Sequence, residues 1–440
     1  MLSALYRWYR GEPDQPYVRP WGLAVPVLVL IVSLPLLRPL RHPEPTNMSD
    51  NELARMATIQ AIVEHQTLCI DHSSLRPSPD MLIRIRPQPD RRGDYTYSKQ
   101  PPVLAAILAA PYWVMHRFGL TFDKNMAGTC YVLTLLGAAL PVAMAAGLVY
   151  RLGRLFELRR QWRVLLSFAA IFGSGLLSYA TVINTHAPAA ALILGTCGAL
   201  FHAGMARSRS HAHSWLVLAG LSAGLAAMID FSALAFLLML SLVILAMRWP
   251  IASRVGGVAW YVFGALPPLA LHATLMLPIT ADLRPGFLHT ELLVISAPAS
   301  QPTTSPDEDE EDETPSLFVR AVTRTADGLV GSHGLLTHFP VLLLGVAGIP
   351  VVLRRNWPAA TKTMAAVSLI GAVLIIGAYV LLAPRWDLPM FSVRWFIPFL
   401  PLLIFWSGVW LRRKHHPVVW VVAGVLLFFS VLVTLIGAAR

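Results

Sequence analysis

Long apolar segments, repeated along the whole chain, limit what this sequence can fold into. Stretches of roughly 18–24 mostly apolar residues recur, and a helix of that length crosses a hydrocarbon core about 30 Å thick. The chain is 55% hydrophobic and only 13% charged, so little sequence is left for a soluble domain. The pattern predicts an all-α polytopic membrane protein in which residues 1–440 form a single transmembrane domain. We place about eleven spans, near 21–40, 127–150, 164–180, 187–206, 214–229, 231–247, 255–279, 336–353, 363–383, 393–411 and 417–438.

Basic residues in the short loops set the expected orientation. All the strongly basic short segments face one side only if residues 102–118 lie in the interface, and cytoplasmic loops are the ones enriched in Lys and Arg. We therefore predict that 102–118 is a surface or re-entrant helix. The net charge of +11 follows from these loops and is no argument for nucleic-acid binding. The segment 21–40 is too long for a cleaved signal peptide and is expected to remain as an anchor.

This topology leaves two long loops on the outer side, 41–126 and 280–335. In the first, apolar residues at helical spacing near 51–64 predict an amphipathic helix on the membrane surface, followed by the helix near 102–118. The second loop contains an unbroken acidic run, Asp307–Glu313. Like charges in a row are usually a solvated insertion, so this run is expected to be dispensable.

Acidic residues and an arginine open the helix expected near 51–64. Asp50 and Glu52 precede Arg55 by about one turn, at a predicted boundary between water and membrane. A carboxylate placed there is suited to take a proton from an acceptor hydroxyl as a general base. The structural alternative is that Asp50 simply caps the helix. Glu52 and Asp50 are therefore the candidate catalytic residues, with Arg55 beside them as a candidate substrate contact.

Cations on the predicted outer face suggest that an anion binds there. Lys99 precedes two prolines that stiffen the backbone, and Tyr97 lies two residues earlier; a lipid phosphate is a natural partner for the lysine. Arg385 and Arg394 oppose the positive-inside tendency, which phosphate binding would explain. The alternatives are that Lys99 reaches lipid headgroups and that the aromatic neighbours of the arginines form an interfacial belt.

Polar residues also occupy the short outer turn at 181–186 and the junction of two later spans. Asn184 and His186 are candidate substrate contacts, although an interfacial histidine is often merely hydrogen-bonded. Asp230 separates two apolar segments, and ionisable groups near membrane depth tend to be functional; its alternative role is the polar turn of a helical hairpin. His333 and His338 lack a third ligand, so no metal site is predicted.

Three short motifs resemble a known family. Glu52-Leu-Ala-Arg55 resembles an acidic residue and an arginine at the start of a surface helix, Lys99-Gln-Pro-Pro-Val103 resembles a Lys-Pro-Pro motif, and Ser392–Pro398 resembles Gly-x-Arg-Trp/Tyr-x-x-Pro. Together they resemble GT-C type membrane glycosyltransferases, nearest the bacterial aminoarabinose transferases and protein O-mannosyltransferases. Two departures are Asn51, which separates Asp50 from Glu52, and Gln100, which separates Lys99 from the prolines.

The resemblance implies an inverting membrane glycosyltransferase with a GT-C-like fold. It would move a sugar from a polyprenyl-phosphate carrier to an extracytoplasmic lipid, glycan or protein acceptor, without a cofactor, at the outer face of a bacterial inner membrane. Membrane lipids would be its other partners. The alternatives are a non-catalytic lipid-binding subunit of the same fold, and a transporter or flippase for a lipid-linked sugar. The spans are largely uncharged and carry no convincing repeat, which argues against the transporter.

Overall fold

Among the described residues, helices of very different lengths make up the architecture, together with one two-stranded sheet. The computed structural model describes residues 21–41, 48–85, 95–206, 208–247, 254–288, 316–332, 334–382, 394–412 and 415–439. The first part of the chain contains α1 Trp21–Ser33, α2 Arg38–Arg41, α3 Asp50–Glu64, β1 Leu82–Ile85, β2 Tyr95–Ser98, α4 Pro102–Arg117, α5 Met126–Thr134, α6 Leu140–Leu152, α7 Arg160–Phe172 and α8 Leu176–Ala180. The second part contains α9 His186–Met205, α10 Arg209–Ile229, α11 Leu234–Ala246, α12 Arg254–Thr280, α13 Leu317–Val330, α14 Leu335–His338, α15 Leu342–Arg354, α16 Ala359–Leu382, a 3-10 turn Arg394–Phe399, α17 Leu400–Phe405, α18 Gly408–Leu411 and α19 Pro417–Ala439.

The number of spans is smaller than the sequence pattern predicts. Among the described residues, eight helices are long and apolar enough to cross a membrane, or nine if one bent pair counts as a single span. The stretch predicted as a span at 164–180 is broken, because α7 ends at Phe172 and Gly175 adopts a left-handed φ of +73°. The stretch at 231–247 forms a shorter apolar helix, Phe231–Ala246. The polytopic helical class is confirmed, whereas the count of eleven is wrong by this measure.

Close backbone contact holds the centre of the bundle together. α10 packs against both α9 and α12, and glycines on the two facing surfaces allow the helices to approach. A Cβ added at Gly220 would lie 1.8 Å from the carbonyl oxygen of Tyr261, and one at Gly264 would lie 2.1 Å from that of Val217. Small residues of this kind are typical of helix contacts in membranes, where packing replaces the hydrophobic driving force.

The two helices predicted for the first outer loop exist with nearly the predicted bounds, but α3 is not exposed as expected. The ten residues Glu52–Ala61 are all buried, so α3 is enclosed on every side along most of its length. It packs against α4 and β2. The sequence pattern missed this because it shows only which side of a helix is apolar and cannot show what covers the polar side.

The hairpin of β1 and β2 covers the end of α12. Its strands are antiparallel, with Ile83 opposite Tyr97. Ile83 is buried with Met276 and Ile279 of α12 in a small apolar cluster, and the Tyr97 ring packs against that cluster. The hairpin delivers the chain directly to Lys99 and then to α4, whose first residue is Pro102, a favoured residue at the first helical position because it needs no N–H acceptor.

Candidate active site

A capping box and an ion pair fix the beginning of α3. The Ser49 side chain accepts a hydrogen bond from the Glu52 backbone N–H at 3.4 Å, and Glu52 Oε2 accepts one from the Ser49 backbone N–H at 3.0 Å. The Ser49 hydroxyl also donates to Glu52 Oε2 at 2.8 Å, and Arg38 Nη1 donates to the same oxygen at 2.6 Å. Glu52 is 3% exposed. All three of the bonds that the Glu52 carboxylate accepts use Oε2, which leaves Oε1 out of the arrangement.

Arg55 lies one turn further along the same helix and is held by the residues that depart from the family pattern. Its Nη1 donates to the Asn51 carbonyl oxygen at 3.1 Å, and its Nη2 donates to Gln100 Oε1 at 2.9 Å. The Gln100 amide in turn donates to Asn51 Oδ1 at 2.6 Å. Gln100, which precedes the prolines, therefore bonds directly to Asn51, which lies between the two carboxylates. Both residues orient Arg55.

The charged residues that act on Arg55 come from distant parts of the sequence. Burial and, to a smaller extent, the positive charge of Arg394 lower the pKa of Arg55, the negative charges of Glu52 and Asp230 oppose the change, and the resulting pKa is about 10. The guanidinium stays charged at neutral pH. Its Nε is buried and has no hydrogen-bond acceptor among the described residues. A buried donor without an acceptor is costly and marks a place where an anion or water can bind.

Asp230 forms a second buried carboxylate centre. His186 Nδ1 lies 2.5 Å from Asp230 Oδ2, and the Ser232 hydroxyl donates to Asp230 Oδ1 at 2.7 Å. Burial would raise the pKa of Asp230, but the charge of His186 and the hydrogen bonds from His186 and Ser232 outweigh it, so the pKa lies below its usual value. Because its one ring nitrogen bonds the carboxylate, His186 keeps Nε2 for another partner. Asp230 also caps the turn that follows it, since its Oδ1 accepts a hydrogen bond from the Ser232 N–H at 3.2 Å, so the hairpin-turn role remains open beside the functional one.

The other predicted site residues differ in what their side chains contact. The amide nitrogen of Asn184 donates to the Tyr179 and Val182 carbonyl oxygens, and its Oδ1 accepts from the Ala187 N–H at 2.8 Å. Its side chain is therefore committed to shaping the turn before α9, which leaves it little capacity to bind a substrate. Asp50 is exposed and accepts a hydrogen bond from the Ser78 N–H at 3.0 Å. The helix-capping function considered for Asp50 belongs instead to Ser49 and Glu52.

Lys99 and Tyr97 lie at the end of the hairpin. The Lys99 N–H donates to the Met81 carbonyl oxygen at 2.9 Å, and its backbone passes so close to Gly286 that a Cβ there would lie 2.9 Å from the Lys99 oxygen. These contacts fix the position of the Lys99 backbone at the end of the hairpin. Tyr97 packs over α12 as described above, so its ring has a structural contact of its own.

Aromatic rings support the segment that carries Arg394. The Trp395 ring stacks on Tyr379 of α16, with centroids 4.7 Å apart and an angle of 5° between the planes. Arg394 lies close enough to Arg55 for its positive charge to lower the pKa of that arginine. Arg385 and the acidic run 307–313, as well as His333, lie outside the described residues.

One residue of the site, Arg38, was not anticipated from the sequence. It lies at the end of the first predicted span, 21–40, that is predicted to face outward, and a basic residue there opposes the positive-inside tendency. That signal was applied to Arg385 and Arg394 and could have identified Arg38 as well. In the parts of the chain that the structure describes, no three His, Cys, Asp or Glu residues are grouped as a metal site.

An apolar cavity of about 740 Å³ begins next to the site. Leu104, Pro188 and Ile229 line it near that end. Pro188 follows His186 by two residues, and Ile229 immediately precedes Asp230. The polar cluster thus lies at one end of an apolar cavity between helices, an arrangement that suits a ligand with a polar head and a long apolar chain.

Comparison with solved structures identifies the fold. The structure is similar to ArnT from Cupriavidus metallidurans bound to undecaprenyl phosphate, with a TM-score of 0.53, 16% sequence identity and coverage of 94% of this chain. The apo state of the same ArnT gives a TM-score of 0.52, 15% identity and 94% coverage. The chain spans 63% of the length of the ArnT chain. No protein-family model and no curated protein sequence matches it. The predicted GT-C-like fold is confirmed.

Proposed function

We propose that this protein is a membrane glycosyltransferase that moves a sugar from a polyprenyl-phosphate carrier to an acceptor outside the cytoplasm. One observation carries the proposal. A buried carboxylate and a buried guanidinium with an unused N–H, Glu52 and Arg55, share one helical turn. Asp230, whose charge acts on Arg55, directly follows Ile229, which lines the apolar cavity. The fold is also that of ArnT, which was solved with undecaprenyl phosphate bound.

The donor phosphate binds to the cationic side of the site in this proposal. Arg55 and Arg394 are close enough for each charge to act on the other, and two guanidinium groups that repel each other are stabilised by an anion between them. Lys99 and Arg385 are the further candidates. Positive charge fixed there stabilises the phosphate as it leaves the sugar. The apolar chain of the carrier occupies the adjoining cavity.

The acceptor reacts on the carboxylate side. As the acceptor hydroxyl oxygen bonds to the anomeric carbon, the bond from that carbon to the phosphate oxygen breaks and the phosphate leaves with the electron pair. Glu52 takes the hydroxyl proton through Oε1, since Oε2 already accepts bonds from Ser49 and Arg38. Asp50 is a weaker candidate because it is exposed and bonded to the Ser78 backbone. The bacterial inner membrane and its outer face are the proposed location.

A non-catalytic lipid-binding protein is the second candidate function. The contacts that orient Glu52 are also those of a helix-capping residue that forms an ion pair with Arg38. They account for the position of Glu52 without a catalytic role. If the cap is its whole role, the protein binds a lipid-linked sugar without transferring it. An experiment must therefore separate the loss of a proton acceptor from the loss of a cap.

The test compares Glu52→Gln with Ser49→Ala. Removing a general base lowers the rate by about 10²–10⁴-fold while ground-state binding persists, and Asp50→Asn should have the smaller effect. Ser49→Ala removes the capping hydroxyl at a cost of about 1 kcal/mol in stability but keeps the carboxylate. Transfer from radiolabelled polyprenyl-phosphate sugars to membrane acceptors, together with donor binding in nanodiscs, gives the two readouts.

Each outcome assigns a role. Turnover lost in Glu52→Gln but kept in Ser49→Ala, with donor binding intact in both, supports the base. If Asp50→Asn is the inactive variant, the base is two residues earlier. Parallel loss of stability in Glu52→Gln and Ser49→Ala, without transfer by the unmodified protein, would leave only the lipid-binding function.

A further inference from the structure

The cavity beside the candidate site extends almost across the bilayer. Residues of α9 from Pro188 to Met205 line it, and at about 1.5 Å of rise per residue this stretch covers about 26 Å. A hydrocarbon core is about 30 Å thick. The cavity therefore has one end at the reaction site and another near the opposite membrane surface.

The chemistry of the two ends differs. Three arginines line the far end, Arg151, Arg154 and Arg163, and none of the described residues that line the cavity is acidic. A basic loop needs only to lie on the cytoplasmic side to set orientation. Orientation alone does not explain Arg163, because this arginine is buried in the cavity wall, where a charge is costly unless a counter-charge is available.

Arg163 is built into the wall. It is 7% exposed, and its guanidinium lies over the Tyr150 ring, 4.7 Å from the centroid. Gly153 leaves space for its stem, since a Cβ there would lie 3.0 Å from Arg163 Cγ. These contacts hold the Arg163 side chain in place at the end of the apolar cavity, whereas a charged side chain at the surface would be mobile.

Aromatic rings line the same end. His202 stacks on Trp215, with centroids 4.5 Å apart and planes at 20°, and both residues line the cavity. Amphipathic rings prefer the depth at which headgroups meet the apolar chains. Basic pockets between membrane helices on the cytoplasmic side are known to bind anionic lipid headgroups.

We propose that this end of the cavity binds an anionic phospholipid from the leaflet opposite the reaction site. Its phosphate contacts Arg151, Arg154 and Arg163, and its acyl chains enter the apolar cavity. Charge complementarity selects this occupant, since a zwitterionic lipid would bring a cation to an end of the cavity that three arginines line. The phospholipid and the apolar chain of the carrier share this cavity and displace each other where they overlap, but phospholipid binding requires no transfer reaction and is tested without the carrier.

Native mass spectrometry of the full chain tests the proposal. The purified protein is titrated with dioleoyl phosphatidylglycerol or dioleoyl phosphatidylcholine, which share their acyl chains and differ in headgroup charge. We expect one retained phosphatidylglycerol and weaker phosphatidylcholine binding. The double variant Arg151→Gln/Arg154→Gln changes exposed side chains and should weaken phosphatidylglycerol binding by about fivefold for each arginine, without a matching effect on phosphatidylcholine.

The matched control removes the same charge from the same segment. Arg159 and Arg160 do not line the cavity, so Arg159→Gln/Arg160→Gln should leave the retained phosphatidylglycerol nearly unchanged. Equal retention of the two lipids by the unmodified protein would overturn the proposal. So would equal losses in the two double variants, since that result assigns the effect to general surface charge, and so would displacement of phosphatidylglycerol by inorganic phosphate alone.

Discussion

Asn51 and Gln100 stand where the sequence departs from the glycosyltransferase motifs, and their side chains bond to each other at 2.6 Å. Read along the chain, each insertion disturbs a motif. In the structure the two insertions form one contact that also orients Arg55. A contact between residues 49 positions apart cannot be recognised in a single sequence, because neither local motif contains information about the other.

A double-mutant cycle on this pair is the first residue-scale prediction. Asn51→Ala and Gln100→Ala should each destabilise the protein, and the double variant should be less destabilised than the sum by about 1 kcal/mol, the net worth of a typical hydrogen bond. Denaturant titration in detergent micelles measures the four proteins. Asn125 caps α5 through Gly128, so Asn125→Ala with Gln100→Ala gives a control cycle expected to be additive. Additivity in the Asn51 cycle as well would mean that the two insertions are independent.

The sequence predicted the residues of the candidate site more reliably than it predicted the role of each residue. Glu52, Arg55 and Arg394 were all chosen from motifs, and the charges acting on Arg55 place them together. Asn184 was chosen as a polar residue in the short outer turn, yet its amide group is hydrogen-bonded to the backbone of that turn. A polar residue at a helix start looks the same in sequence whether it binds a ligand or holds a turn.

At the scale of elements, apolar periodicity predicted the bounds of the two helices in the first outer loop well, but it did not predict which elements cover them. The helices expected near 51–64 and 102–118 occupy Asp50–Glu64 and Pro102–Arg117, since a capping serine and a proline mark their starts. The hairpin of β1 and β2 was not foreseen, because each strand has only four residues. That hairpin is nevertheless what brings Lys99 and Gln100 to α3.

The contact between α10 and α12 gives an element-scale prediction. Gly220→Ala places a methyl group 1.8 Å from the Tyr261 carbonyl oxygen, so the helices must separate, at a cost of about 1–3 kcal/mol or more. A Cβ added at Gly377 of α16 would meet no atom within 4 Å, so Gly377→Ala should be neutral or slightly stabilising through helix propensity. Thermal unfolding in the same detergent compares them. Equal stability of the two variants would show that the close approach contributes nothing.

For the whole molecule, the distribution of basic loops predicts sidedness. Single cysteines at Gly93 and Pro306, which lie outside the described residues, should react with an impermeant thiol reagent added to intact cells, and a cysteine at Glu157 should not. The native Cys69, Cys130 and Cys197 are all buried, so their background labelling should be low. Labelling of position 157 from outside would place α4 across the membrane and reverse the assignment of the basic loops.

Arg41, at the end of the first span, donates through Nη2 to the Ala438 carbonyl oxygen at 2.8 Å. This contact joins residues 397 positions apart, and at about 5–20 residues per second the ribosome needs roughly 20–80 s to make the second partner after the first. Ser178 likewise waits for the Thr434 carbonyl oxygen, at 2.7 Å. During synthesis the neighbouring Arg38 therefore holds Glu52 in a bundle whose first helix still lacks its last partner. Closure of the bundle around its first helix then waits until α19 has been made, and a nascent chain stalled before α19 should carry all the site residues named here in a bundle that has not yet closed.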